Sequence, residues 1–267
     1  AIPVAVTRRD SMRVVVTDRL KLAKEALDGA RRAMDSVEMS GYSRSKLVQF
    51  DIMRRHAMRL AGDGKYRQAD LEAQSVIRGA SVIQGDIDDQ VEDYQKNKVM
   101  WASWARETIE WSRRSQAYAI VVRKLDHRCD LYYAGALKAS YSVDLGIRWM
   151  GFKMRSGDNV PPDGRYHISS KKSGSRYYKA LEIDYPNADD RARFARLKAE
   201  GKLNKRAAIG GLLEIHGSGG RGKDWTSGCV ALRNDQLDQL FARVNVGTPV
   251  TIVGDWNPGG EDGKTAR

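Results

Sequence analysis

The chain has 267 residues, 41% of them hydrophobic and 30% charged, a composition that builds packed cores and excludes a disordered polyelectrolyte. At about 100–200 residues per domain this length predicts two domains. The net charge of +12 suits an anionic partner such as nucleic acid, an acidic wall polymer or lipid headgroups, or simply a solvated basic surface, and selects none of them.

In chain order, residues from about 11 to 117 read as helix. Leu20, Ala23, Leu27, Ala30, Met34 and Val37 recur at three- and four-residue steps on one face, and Gly41 interrupts the pattern. Phe50, Met53, Ala57 and Leu60 form a second stripe ending near Gly62 and Gly64, and Ala69, Ala73, Val76, Ala80 and Ile83 form a third. The turn Gly64-Lys65-Tyr66-Arg67-Gln68-Ala69 has the character of a tetratricopeptide-type hairpin, but one unit makes no array. A fourth helix is expected to carry Trp101, Trp104 and Trp111, either as a sugar platform or, as the favoured reading, as interhelical packing.

Composition changes near Ala119. Strands are expected at Ala119–Lys124, Cys129–Tyr133, Lys138–Leu145, Arg165–Ser169, Tyr177–Tyr185, Gly211–His216 and Val250–Val253. Asn187 is positioned to cap a helix from Ala188 to about Glu200, and Asn234 a last helix with Leu237, Leu240, Phe241 and Val244 on its apolar face. The expected fold is α+β: an all-α helical domain over 1–118, a mostly β domain over 119–255 and a flexible Gly-rich tail over 256–267. No apolar run reaches the roughly 18 residues of a transmembrane helix. No signal peptide is visible, and a chain starting at Ala1 is compatible with one having been removed.

The chemistry concentrates in Ile215-His216-Gly217, a Gly-rich loop, and Thr226-Ser227-Gly228-Cys229-Val230. A thiol is a strong nucleophile only as the thiolate, and a neighbouring histidine can take its proton. The Gly217 carbonyl is placed to fix the imidazole tautomer. Gly228 permits close backbone approach, and the N–H groups around Gly228 and Cys229 are candidates for an oxyanion hole. Competing readings are an inert buried thiol, zinc held by His216 with Cys229 or His127 with Cys129, and a phosphate loop over Gly217–Lys223. No spacing supplies four zinc ligands, and Asp224 stands where a phosphate loop needs a hydroxyl. The two cysteines are too few for a disulfide framework and are expected to be free thiols.

His216-Gly217 with Thr226-Ser227-Gly228-Cys229-Val230 resembles the catalytic motif of the L,D-transpeptidase (YkuD-like) family. Pro162-Asp163-Gly164-Arg165-Tyr166, Tyr185-Pro186-Asn187 and Gly247-Thr248-Pro249-Val250 resemble further family segments, so the likeness spans about residues 119–255. Many members carry Arg two residues after the Cys. Here that place is Ala231, and Arg233 is the nearest substitute. The resemblance implies a mostly β catalytic fold with Cys229 as nucleophile, His216 as base and Gly217 orienting it. It implies substrate contacts at Thr226, Ser227, Gly228, Arg233 and Tyr185, and neither metal nor cofactor. The implied substrate is the stem peptide of peptidoglycan: Cys229 attacks the carbonyl of an L-configured centre such as diaminopimelate, expels a terminal D-amino acid and passes the acyl group to an amine. Water as acceptor would make the enzyme a carboxypeptidase or hydrolase. A wall- or partner-binding module with a minor catalytic role is a further alternative. The expected location is the bacterial periplasm or envelope, with a cell-envelope protein as a candidate partner of the helices and no nucleic acid partner.

Overall fold

The structure, a computed structural model, describes residues 8–36 and 41–259. By contacts the chain divides into two compact units, Ala1–Glu92 and Asp93–Arg267. Three helices precede the sheet: α1 (Arg8–Ser36), α2 (Gly41–Gly62) and α3 (Tyr66–Ser115).

In the first unit, Ala23, Leu27, Ala30 and Met34 of α1 pack with Leu47 of α2 and with Ala73, Val76, Ala80 and Ile87 of α3. Small alanines at the contact let helix axes approach closely while the larger residues fill the gaps. Val37, the last residue of the expected first stripe, lies outside the described residues. Gly41 does not interrupt a helix but begins α2. His56 Nδ1 lies 2.8 Å from the Glu72 carboxylate, bridging α2 and α3.

The expected third and fourth helices are one: α3 is continuous over 50 residues. Residues 86–98 are mostly polar, yet Ile87, Val91 and Tyr94 keep a helical spacing and the segment contains no proline, and Gly85 alone costs a helix only about 1 kcal/mol. The second unit includes the C-terminal part of α3, because Tyr94, Trp101, Ala102 and Ala105 pack on Val121, Tyr132, Val253 and Trp256. The contact boundary therefore falls at Asp93, although the sheet starts only at Tyr118. Trp101 is buried in this interface, while Trp104 and Trp111 are half-buried.

The sheet comprises β1 (Tyr118–Arg123), β2 (Arg128–Tyr133), β3 (Ala136–Asp144), β4 (Gly164–Ser175), β5 (Tyr178–Ile183), β6 (Glu214–His216), β7 (Val230–Leu232) and β8 (Pro249–Val253). They close into a barrel in the order β1-β2-β3-β7-β6-β5-β4-β8. Two neighbouring pairs run parallel, β1 with β8 and β6 with β7. Helix α4 (Ala188–Ala199) follows β5, and α5 (Asn234–Arg243) follows β7. Asn187 caps α4 through a reciprocal capping box with Asp190. The chain is thus α+β, a helical region followed by a sheet-rich domain.

The barrel is filled by alternate side chains of its strands, among them Ile120, Val122, Leu131, Tyr166, Ile168, Leu181, Ile215, Val230 and Leu232, joined by Leu237 and Leu240 of α5. Beside it lies a fully buried ion pair. Lys124 Nζ, just past β1, donates to Asp163 Oδ2 at 2.9 Å and to the Gly151 carbonyl at 2.9 Å. This pair ties the turn Pro162-Asp163-Gly164 and the long β3–β4 connection to β1.

Removing one partner of a buried pair strands the other charge, at a cost of about 3–5 kcal/mol. Lys124→Met is therefore expected to lower the unfolding free energy by that amount in urea titrations. Lys124→Met/Asp163→Leu should recover most of the loss, and a double variant no more stable than the single one would contradict this account.

Candidate active site

The site is organised by β6 and β7. Ile215 pairs with Val230 and His216 with Ala231. Ile215, Val230 and Leu232 point into the core, so the alternation of a strand turns His216 and Ala231 to the other face. Cys229 immediately precedes β7, level with Glu214 on the neighbouring strand. The short strand β7 lies between the Cys turn and α5, which begins at Asn234.

His216 is 1% exposed. Its Nδ1 lies 2.7 Å from the Gly217 carbonyl oxygen. With Nδ1–H donating there, Nε2 is the basic nitrogen. Tyr177 stacks on the imidazole at 4.8 Å between centroids and 25° between planes, and Trp225 meets it edge-on at 5.7 Å. Burial holds the His216 pKa below its ordinary 6.5, outweighing the opposing effect of the Gly217 carbonyl. The resting imidazole is therefore neutral at pH 7.

Cys229 is partly exposed and its thiol is free, as is that of Cys129. Its sulfur lies 4.0 Å from the Leu212 carbonyl oxygen. Burial pushes the Cys229 pKa up to about 11, opposed by the Glu214 N–H. Leu212 is 75% exposed and has a φ of +54°, a left-handed conformation uncommon for a branched apolar residue. Cys129 is fully buried in the barrel core, where desolvation raises its pKa strongly, and it is chemically shielded.

Thr226 fixes the turn at Cys229. Its Oγ1 donates to the Cys229 carbonyl at 2.7 Å and accepts from the Gly228 N–H at 3.2 Å. This corrects two expectations. The Thr226 hydroxyl is spent inside the turn, and the Gly228 N–H is not available to an oxyanion. Gly228 has a φ of +117°, and a Cβ there would lie 2.8 Å from the Val160 carbonyl, so only glycine fits. Gly217 is similarly enclosed, with the Asn234 side chain and the Tyr177 carbonyl where a Cβ would stand.

Of the other expected substrate residues, Ser227 is exposed beside the turn. Arg233 does not face the turn: it pairs with Asp235 at 3.0 Å and packs on Gly220. Tyr185 is 6% exposed, belongs to the core, and donates its hydroxyl to the Ile209 carbonyl at 3.2 Å, bracing the segment that leads to Leu212. Asn234 makes no cap on α5. Arg233 is the N-cap, and Asn234 Oδ1 instead accepts the Ser218 N–H at 2.8 Å.

Three anchors escaped the sequence reading. Asp144, at the end of β3 and 6% exposed, accepts the Arg221 N–H at 2.9 Å and the Trp225 indole N–H at 3.1 Å with one oxygen. Asp224 accepts the Leu145 N–H at 2.7 Å and lies 3.1 Å from His127 Nε2. Tyr177 is the lid on the imidazole. His127 is thus engaged by Asp224 while Cys129 faces the core, so this pair does not converge on a metal.

A family profile described as the L,D-transpeptidase catalytic domain (YkuD) matches residues 117–252. The chain belongs to the L,D-transpeptidase family. Among known proteins, YafK of Escherichia coli (strain K12), whose name places it among the L,D-transpeptidases, is 35% identical over 129 residues, covering 46% of this chain and 45% of that protein. YcfS of the same organism is 30% identical over 144 residues, covering 46% and 40%. YqjB of Bacillus subtilis is 26% identical over 141 residues, covering 51% and 71%. The chain thus spans less than half the length of YafK and YcfS. Among solved structures, Mycobacterium tuberculosis L,D-transpeptidase 1 aligns over 52% of this chain and 62% of its own, with 16% identity and a TM-score of 0.34.

In this L,D-transpeptidase domain both resting groups are neutral, and that is testable. Iodoacetamide should label Cys229 slowly at pH 7, about tenfold faster per pH unit, levelling only near a pKa of about 11. Peptide mapping by mass spectrometry should find Cys129 unlabelled in the folded protein. An apparent pKa under 8 would indicate a resting thiolate–imidazolium pair instead.

Proposed function

We propose that residues 117–252 catalyse cysteine acyl transfer on peptidoglycan stem peptides in the cell envelope. The observation that carries this reading is the 2.7 Å contact of His216 Nδ1 with the Gly217 carbonyl, one strand away from a partly exposed Cys229. It leaves Nε2 as an acceptor beside a thiol that needs one.

In the first half-reaction the thiol proton passes to His216 Nε2 as sulfur bonds to the carbonyl carbon of an L-configured centre. The C–N bond to the terminal D-amino acid breaks, and His216 returns the proton to the departing amine. In the second, an amine of a neighbouring stem attacks the thioester and gives its proton to His216. The C–S bond breaks, and the thiol is re-formed. The Tyr177–His216–Trp225 stack keeps the imidazole dry and neutral before substrate arrives, so the positive charge on it exists only during the reaction. The scheme needs no cofactor. It assigns no chemistry to α1 and α2; wall or partner binding by these helices is part of the proposal.

Incubation of the chain with defined muropeptides, followed by mass spectrometry, tests the reading. Cys229→Ala should give no product and His216→Ala a rate lower by about 10²–10⁴-fold. Because the pKa of His216 lies below 6.5, kcat/KM should hold down to that pH and fall only as further acidification protonates the base. Cross-linking by Cys229→Ala at the wild-type rate would sink the mechanism.

A further inference from the structure

Arg221 is a cation built into the wall around His216, where Glu214 is the nearby carboxylate that opposes its effect on the imidazole. Its guanidinium lies flat on Trp225, 3.6 Å from the ring centroid. Its Nε donates to the Ser218 carbonyl at 3.0 Å, and its backbone N–H is held by the buried Asp144, which also holds the Trp225 indole. Trp225 in turn meets the His216 ring. The arginine is therefore one indole away from the base, near enough for its charge to depress the His216 pKa.

What it lacks is an anion. Arg123, Arg165, Arg193 and Arg233 each have a carboxylate partner within 4 Å. No acidic side chain pairs with the Arg221 guanidinium among the described residues. Its side chain is exposed. With the face stacked and Nε bonded, the two terminal nitrogens remain as a planar fork, the geometry that takes a carboxylate bidentately. Holding an unpaired guanidinium this rigidly is the arrangement of a preformed anion site rather than of a solvated surface arginine. A second arginine, Arg176, lies 5.5 Å over the ring of Tyr177, which stacks on the imidazole, and adds to the positive field.

We propose that Arg221 binds a carboxylate of the stem peptide beside His216 and so selects acidic donors. The proposal rests on the acyl-transfer reading for its substrate class. Two carboxylates qualify: that of the terminal D-amino acid on the leaving side, and a side-chain or α-carboxylate on the acyl side.

The experiment is equilibrium binding by calorimetry of synthetic stem peptides to the full chain carrying Cys229→Ala, with Arg221 or Arg221→Gln. Three peptides are used: unmodified, amidated at the C-terminus, and amidated at the other carboxylates. A charged hydrogen-bonded contact contributes about 1.5–3 kcal/mol, so Arg221→Gln should weaken the unmodified peptide about 10–100-fold. The same loss should appear when the recognised carboxylate alone is amidated, with no further loss on adding the substitution. Whichever amide abolishes the Arg221 dependence identifies the source. Arg221→Gln keeps the main-chain contact to Asp144.

Equal affinities with and without Arg221 overturn the proposal, as does failure of all three peptides to bind at millimolar concentration. Arg221-dependent binding without turnover by the Cys229 protein supports the carboxylate site and sinks acyl transfer. Turnover without Arg221 dependence does the reverse.

Discussion

The parallel pairing of β6 with β7 is the constraint on which the site depends. Parallel neighbours cannot be joined by a tight hairpin; the chain must cross over. Here the crossover is residues 217–229, and it contains no helix or strand. A segment of this kind brings backbone groups to be satisfied and little apolar surface to hold it. It is held by side chains from elsewhere, Asp144 on Arg221 and Trp225 and Asn234 on Ser218, by its own Asp224 carboxylate on Leu145 and His127, and by main-chain bonds from Gly217, Gly219, Trp225 and Thr226. The same crossover brings the end of β6 and the start of β7, hence His216 and Cys229, to adjacent strands. Chemistry and topology are one problem in this domain.

Burial settles the electrostatic state of the pair. Desolvation disfavours the charged form of either group, lowering the His216 pKa and raising that of Cys229. Each charge would be costly alone in this wall; in the proposed reaction the two would appear together, as a proton passes between them. The Gly217 carbonyl contributes direction, by choosing which nitrogen accepts. A carboxylate in that position would have raised the imidazole pKa further and favoured a resting ion pair.

Most of the fold was legible because strands and helices advertise themselves by period. The seven expected strands correspond to β1–β6 and β8, and the Asn187 cap is visible as a capping box. What failed to show has physical reasons. Residues 86–98 carry only a thin stripe, Ile87, Val91 and Tyr94, among polar neighbours, so the continuity of the expected third and fourth helices is faint in the sequence. β7 is three residues long, and all three are buried, which leaves no alternation to detect. At the site, Cys229, His216 and Gly217 are legible as candidates because a thiol, an imidazole and a glycine carbonyl within one motif are distinctive. Asp144, Tyr177 and Asn234 are not. Each acts through a contact distant in sequence, and a lone Asp, Tyr or Asn carries no pattern of its own. The family resemblance implies a substrate contact at Thr226, and what it does not reveal is that the hydroxyl bonds within the turn, to the Cys229 carbonyl and the Gly228 N–H.

The departure at Ala231, where many relatives carry arginine, has a structural counterpart in the crossover. Ala231 is fully buried. The loop folds back over β7, with the Gly219 N–H donating to the Leu232 carbonyl at 2.8 Å, and a Cβ on Gly219 would lie 2.5 Å from the Ala231 carbonyl oxygen. The loop backbone therefore lies directly against the main chain of β7, and a side chain on Gly219 would meet Ala231 and Leu232. The same loop carries Arg221, whose stacking on Trp225 ties the guanidinium to the wall around the imidazole. The close packing of this loop on β7 depends on the absence of a side chain at Gly219.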